Sequence, residues 1–188
     1  MSSKRIFDIF ASILGLLVFI LPITLIALMI KLTSGGPIIY WSDRVGKDNK
    51  IFKMAKFRTM RLDTPALATH LLTNSDIHLI PLGSFLRKSS LDELPQLWCI
   101  LIGDMTVVGP RPALFNQDDL IKARTKLGIH LIKPGLTGWA QVNGRDELSI
   151  ESKVKLDSEY LKRQSISFDL KIIILTILKV TRREDVSH

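Results

Sequence analysis

The chain has one cysteine, no glycine-rich nucleotide fingerprint and few aromatic residues, and each shortage removes a class of protein. With Cys99 as the only cysteine in 188 residues, no internal disulfide is possible and a reducing compartment is expected. Cys99 lies in the apolar run Leu97-Trp98-Cys99-Ile100-Leu101, where a thiol serves as a small buried hydrophobe. Neither a Walker-type loop nor a G-x-G-x-x-G turn is present, which counts against the folds that need them. The four histidines, at 70, 78, 130 and 188, lack zinc-ligand spacing, so no structural zinc site is expected. Aromatic residues make up 7% of the chain and are not interleaved with the basic ones, so no nucleic-acid partner is expected.

Positive charge and one long apolar run are what the chain does have. Lys and Arg outnumber Asp and Glu by 26 to 18, a net +8 that suits anionic partners such as lipid headgroups or nucleotide phosphates. Ile9 to Ile30 is a stretch of 22 residues without a charge, long enough to cross a bilayer as a straight helix. It lacks the shorter core and small-residue cleavage site of a signal peptide. Lys4 and Arg5 precede the run, while Lys31, Arg44, Lys47, Lys50 and Lys53 follow it, so both ends favour the cytoplasmic side. Pro22, near the middle, has no amide hydrogen to donate and is a natural break point. A helix–break–helix that enters and leaves by one leaflet satisfies both facts, with a proline-kinked spanning helix as the alternative. Residues 1–33 therefore read as a re-entrant membrane anchor, and residues 34–188 as one compact interfacial domain.

Beyond the anchor the pattern is α/β and mainly helical. Short strands are expected at Ile38–Trp41 and Ile51–Met60, with Asp43–Lys50 as a charged turn. Amphipathic helices are expected near Leu79–Arg87, from about Ser90 to Gly103, at Phe115–Leu127, Leu148–Arg163 and Phe168–Val180. Lys133–Trp139 reads as a Gly/Pro-rich loop. The last helix, with Lys171 and Lys179 among Ile and Leu, must bury against a core or lie in a bilayer interface.

Asp92 and Glu93 are the strongest candidates for chemistry. They are adjacent carboxylates at an expected helix start, just after Arg87 and Lys88, and both a helix N-terminus and nearby cations keep a carboxylate ionised. Ser90-x-x-Glu93 also matches a capping box, and taken alone these letters favour a purely structural cap over a catalytic site. Pro95 disturbs the helix just past the pair. In Gly109-Pro110-Arg111-Pro112 two prolines restrict the backbone around Arg111, which suits bidentate phosphate recognition or a stiff surface turn. Lys56 and Arg58 would share one face of a strand, able to hold a diphosphate or anionic lipid. Arg145 sits at a turn as either a ligand arm or surface charge. If a metal binds, carboxylates beside phosphate point to Mg2+.

Taken in order, these segments resemble the small monotopic phosphoglycosyl transferases, the bacterial sugar transferases that start glycan assembly on polyprenol phosphate. The resemblance is carried by Lys4-Arg5-Ile6-Phe7-Asp8, Lys56-Phe57-Arg58-Thr59-Met60, Ser90-Leu91-Asp92-Glu93-Leu94-Pro95-Gln96-Leu97, Gly103-Asp104-Met105 and Val108-Gly109-Pro110-Arg111-Pro112. It continues through Lys133-Pro134-Gly135-Leu136-Thr137-Gly138-Trp139-Ala140-Gln141-Val142-Asn143-Gly144-Arg145, with Asp169-Leu170-Lys171 and Val186-Ser187 also fitting. It implies that Asp92 attacks the β-phosphate of a UDP-sugar, expelling UMP and leaving a phosphosugar on the enzyme. Undecaprenyl phosphate would then take that phosphosugar. Glu93 would help hold Mg2+ with Asp92 or manage the acceptor's proton, and Arg87 and Arg111 would grip phosphates. It also implies an inner-membrane enzyme facing the cytoplasm, with both termini on that side and lipid as its standing partner. Where some members have a serine before the anchor proline, Leu21 stands here, and Thr24 is the nearest substitute hydroxyl. The loop from Asn143 to Ser149 resembles members that use N-acetylated amino sugars. Two rivals remain at this point: a non-catalytic, membrane-tethered basic binding module, and direct transfer in a single step.

Overall fold

A computed structural model describes residues 2–64, 75–144 and 148–182. Helix α1 (Ser3–Val18) opens with the Arg5 amide donating to both the Ser2 carbonyl, at 2.9 Å, and the Ser2 side chain, at 3.4 Å. Helix α2 (Ile20–Ser34) follows after a single residue, and the two are bent by 61°. The kink falls at Phe19, not at Pro22 where the sequence suggested it. A continuous helix would need Pro22 to bond the Val18 carbonyl, which it cannot do, and its ring would strike that carbonyl. Breaking one turn earlier puts Pro22 in the first turn of α2, where no amide hydrogen is needed. The Phe19 amide still closes α1 on Gly15, and the Ile23 amide opens α2 on Phe19. Thr24 does use its hydroxyl, but on the Ile20 carbonyl within the new helix, at 2.8 Å.

Among the described residues no single helix is long and apolar enough to cross a membrane; only this bent pair meets the test together. One side of the pair is part of the protein core. Leu16 packs on the cluster of Leu97, Cys99 and Ile100, and Ile26 and Ile30 are buried with Phe57, Ile80 and Leu86. The other side exposes Phe10, Leu14, Leu17, Leu21, Leu25 and Leu32, an apolar face of the kind that marks membrane or partner contact.

Strands β1 (Ile39–Val45) and β2 (Ile51–Phe57) form an antiparallel hairpin, from Ile39 opposite Phe57 to Val45 opposite Ile51. Strand β1 runs through Asp43 and Arg44, which the sequence assigned to a turn, because cross-strand pairing satisfies their backbone and Lys53 lies 2.7 Å from Asp43. The turn itself uses Asp48 and Asn49 at φ 56° and 58°, residue types that tolerate the left-handed region. After helices α3 (Gly83–Lys88) and α4 (Gln96–Ile102) come β3 (Thr106–Val108) and β4 (Ala113–Leu114). Strand β4 joins β1, giving the order β2-β1-β4. Helix α5 (Asp118–Lys126) precedes β5 (Gly135–Thr137), which pairs parallel with β3 inside the segment expected to be a plain loop. Helices α6 (Ile150–Arg163) and α7 (Ile166–Arg182) end the described fold. Helix α7 meets the first of its two alternatives: Phe168 and Ile172 are buried against Tyr160 and Val108, while Ile174 and Ile177 are exposed.

The first turns of α1 lock the bent helix pair to the rest of the chain. Lys4 Nζ reaches Asp169 at 2.5 Å and the Val108 carbonyl at 3.0 Å. Arg5 donates to the Ile100 and Leu101 carbonyls at the end of α4, both at 2.6 Å, and so caps the last turn of that helix. Buried Asp8 accepts from Thr106 Oγ1 and the Val107 amide.

Candidate active site

The dyad occupies a single 3-10 turn, Leu91–Glu93, set off from α4 by Pro95. Ser90 enters this turn in the left-handed conformation (φ 57°) and makes no side-chain capping bond, so the capping-box reading does not hold. Glu93 turns its carboxylate toward cations instead. Lys56 Nζ lies 2.8 Å from Glu93 Oε1 and 3.5 Å from Asp92 Oδ2, and Arg111 Nη2 lies 3.2 Å from the same Glu93 oxygen. Leu91 and Leu94 bracket the dyad and pack against the cluster that holds Ile26 and Ile30, so the carboxylates sit at the root of the anchor.

Asp92 is buried, and burial pushes its carboxyl above the ordinary carboxylate range. Lys56 opposes that shift most strongly, neighbouring Glu93 adds to it, and Arg111 and Arg87 oppose it. Ionisation of Asp92 is therefore supported by these cations rather than by a long helix dipole, since α4 begins only at Gln96. Arg87 itself leans on Thr59, with Nε 3.0 Å from Oγ1.

The position of Arg111 follows from close backbone contact. A Cβ on Gly135 would sit 2.1 Å from the Gly109 nitrogen, and one on Gly138 would sit 2.1 Å from the Gly109 oxygen. Only glycine lets β5 press this tightly on the strand that leads into Pro110-Arg111-Pro112.

Of the residues singled out from the sequence, the fold brings Lys56, Asp92, Glu93 and Arg111 together, with Arg87 close enough to influence Asp92. Arg58 is not among them. Strand β2 stops at Phe57, and the Arg58 guanidinium turns to Ser34 Oγ at 2.8 Å and to the Gly35 carbonyl, closing the end of α2. The alternation that would have placed it beside Lys56 ends one residue too early. Arg145 lies outside the described residues. Sequence reasoning missed Arg124 and Asp157, a buried pair beneath the Arg111 turn whose letters look like ordinary helix-surface charges.

Among the described residues no group of three or more His, Cys, Asp or Glu side chains could hold a metal ion. Asp92 and Glu93 are a two-carboxylate set, which fits Mg2+ of the sort that takes its other ligands from substrate phosphates and water.

Fold and site together define a class: a carboxylate pair ringed by cations, built onto an apolar helical hairpin. The bacterial sugar transferase family matches residues 1–183, and the chain belongs to it. It is 39% identical over 183 residues to the UDP-glucose:undecaprenyl-phosphate glucose-1-phosphate transferase of Escherichia coli, covering 94% of this chain and 39% of that protein. It is 38% identical over 198 residues to the undecaprenyl-phosphate galactose phosphotransferase of Salmonella typhimurium, covering 96% of this chain and 41% of that one. With the sugar transferase EpsL of Bacillus subtilis it shares 38% identity over 185 residues, covering 98% and 90%. The chain thus spans about two fifths of the first two relatives.

Proposed function

We propose that this protein transfers a sugar-1-phosphate from a UDP-sugar to undecaprenyl phosphate at a membrane surface, through a phosphosugar carried on Asp92. The observation that carries the reading is the buried Asp92 carboxylate, 3.5 Å from Lys56 Nζ at the root of a bent apolar hairpin. The names of the relatives in E. coli and S. typhimurium support the donor and acceptor classes.

In the first step an Asp92 oxygen attacks the β-phosphorus, the bond to the bridging oxygen breaks, and UMP leaves with that oxygen. In the second, the phosphate oxygen of undecaprenyl phosphate attacks the same phosphorus and Asp92 departs as a carboxylate, giving an undecaprenyl diphosphosugar. Splitting the transfer spares the site from holding nucleotide and lipid at once. Phosphoryl transfer is chiefly positioning and charge neutralisation. Lys56 keeps Asp92 ionised and poised, while Arg111 and Arg87 offer cationic donors to the phosphates. Glu93 anchors Lys56 and Arg111 in register. Mg2+, held by Asp92 and Glu93 when bound, would supply further neutralisation of the diphosphate. The acceptor's lipid tail stays in the bilayer, so the reaction belongs at the anchor's root, on the cytoplasmic face of the inner membrane.

The sugar remains a choice between the glucose and galactose of the relatives' names and the N-acetylated amino sugar suggested by the Asn143–Ser149 loop. Full-length protein in nanodiscs should release UMP with one member of a UDP-sugar panel, and mass spectrometry of quenched enzyme should find a phosphosugar on the peptide containing Asp92. Product without such an adduct would favour single-step transfer. Salt-sensitive binding with no UMP would leave only a membrane-tethered basic module.

A further inference from the structure

We propose that Arg124 and Asp157 are positioning residues for the transfer, acting through Arg111; this deepens the proposed function and rests on it. The Pro110-Arg111-Pro112 turn has two residues without an amide hydrogen, so it can do little to fix itself. Its three consecutive carbonyls are instead each held by a different element. The Gly135 amide donates to the Pro110 carbonyl at 2.9 Å, Arg124 Nη1 donates to the Arg111 carbonyl at 2.8 Å, and Arg44 Nη1 donates to the Pro112 carbonyl at 3.3 Å. The middle bond sets the peptide plane from which the Arg111 side chain springs, and that side chain ends 3.2 Å from Glu93 Oε1.

Arg124, on α5, can perform this task because Asp157, on α6, fixes the rest of its guanidinium. Nε and Nη2 both donate to Asp157 Oδ2, at 2.9 and 2.7 Å, leaving Nη1 aimed at Arg111. Both partners are buried, Asp157 to 1% exposure. Burial pushes the Asp157 carboxyl upward, against the pull of Arg124, so the pair is an expensive way merely to pin two helices together. Apolar residues of similar volume would pack α5 on α6 as well. They would not offer a rigid, directional donor to the Arg111 carbonyl. The hydrogen bonds of Arg124 run to Asp157 and to the Arg111 carbonyl, so its route to the dyad is through the turn.

The test is a double-mutant cycle on the full chain in nanodiscs, read by UMP release with the panel's active UDP-sugar. The Arg124→Met/Asp157→Leu variant should retain the wild-type far-UV spectrum and lose kcat/KM by about 10- to 100-fold, the scale expected when a phosphate-binding group is misplaced. In an Arg111→Ala background the same replacement should cost less than about 3-fold, because the side chain being aimed is gone. Arg124→Lys, which can pair with Asp157 but lacks a second fixed donor, should be folded and slow, and it decides the matter if the apolar pair fails to fold. A folded variant with wild-type kcat/KM, or losses that multiply in the Arg111→Ala background, would overturn the assignment while leaving transfer intact. A wild-type protein that releases no UMP with any donor would overturn the functional reading and this one with it.

Discussion

Replacing Lys56 by methionine keeps most of the side chain's length and removes its charge. In the folded protein that charge lies 2.8 Å from Glu93 and 3.5 Å from Asp92, and the three side chains are each no more than 17% exposed. At an effective dielectric near 20, unit charges separated by that longer distance attract by about 5 kcal/mol. Part of this is retained, because Arg111 still lies 3.2 Å from Glu93 and side chains relax. A loss of about 3 kcal/mol is the measure for breaking a partly screened buried pair, which corresponds to roughly a hundredfold fall in kcat/KM. The pH dependence is the sharper readout. Burial already raises the Asp92 carboxyl and Lys56 is the main opposing influence. In Lys56→Met the carboxyl should rise further, so the acid limb of the rate profile moves to higher pH and activity partly recovers in alkali. Lys56→Arg should keep the wild-type limb. UMP release measured across pH in nanodiscs decides it. A Lys56→Met profile superimposed on wild type, with less than about a 3-fold loss, would refute the claim that this lysine keeps the nucleophile charged.

Three other perturbations follow from the same geometry. Asp92→Asn should abolish the phosphosugar adduct yet raise the melting temperature near neutral pH. The folded carboxyl titrates above its unfolded value, so its neutral form is the stabilising one. That contribution is complete below the unfolded value of about 3.9 and is lost as pH rises through the folded value; the asparagine's advantage should therefore shrink in acid, and an unchanged melting temperature at neutrality would show the cations compensate fully. Pro22→Ala restores an amide hydrogen for the Val18 carbonyl, so α1 and α2 should straighten into one helix and an N-terminal cysteine tag should become labelled from outside intact cells; continued protection would show that the bend at Phe19 does not depend on proline. Gly135→Ala places a methyl group 2.1 Å from the Gly109 nitrogen and should separate β3 from β5, costing at least about 3 kcal/mol in denaturant melts and most of the UMP release; near-wild-type stability would mean the turn before Arg111 tolerates a shift.

What the sequence revealed followed from periodicity and local chemistry. Helices α3, α6 and α7 were visible because Leu, Ile and Phe recur at helical spacing, and Gly103 at φ 100° ends α4 where a glycine was expected to stop it. The dyad was visible because its two carboxylates follow Arg87 and Lys88 at an expected helix start, and the arginine turn because two prolines flank Arg111. What stayed hidden depends on contacts between distant segments. A two-residue strand such as β4 has no period to detect, and β5 is a strand only because glycines let it lie against Gly109. Arg58 was placed on one strand face with Lys56 because strand alternation was extended one residue past the point where β2 stops. The pair Arg124–Asp157 spans 33 positions and leaves no local trace.

The anchor illustrates how composition and packing divide a chain differently. Residues 9–30 stand apart by their lack of charge, yet Lys4, Arg5 and Asp8 just before them bind α7, α4 and β3, and Ile26 and Ile30 complete the core beneath the dyad. The same Val108 carbonyl that accepts from Lys4 also lies 2.8 Å from the Tyr160 hydroxyl, one residue before the glycine that opens the Arg111 turn. An apolar hairpin used only as a tether would have no reason to place three charged side chains inside the domain it carries, where each must find partners to offset its desolvation. Holding half-buried Lys4 and buried Asp8 in those contacts makes the placement of the hairpin and the position of the Arg111 turn a single mechanical property. On the proposed function a lipid-borne acceptor would require that coupling, because its phosphate would be presented at a height fixed by the bilayer and the attacked phosphorus would have to be held at the same level.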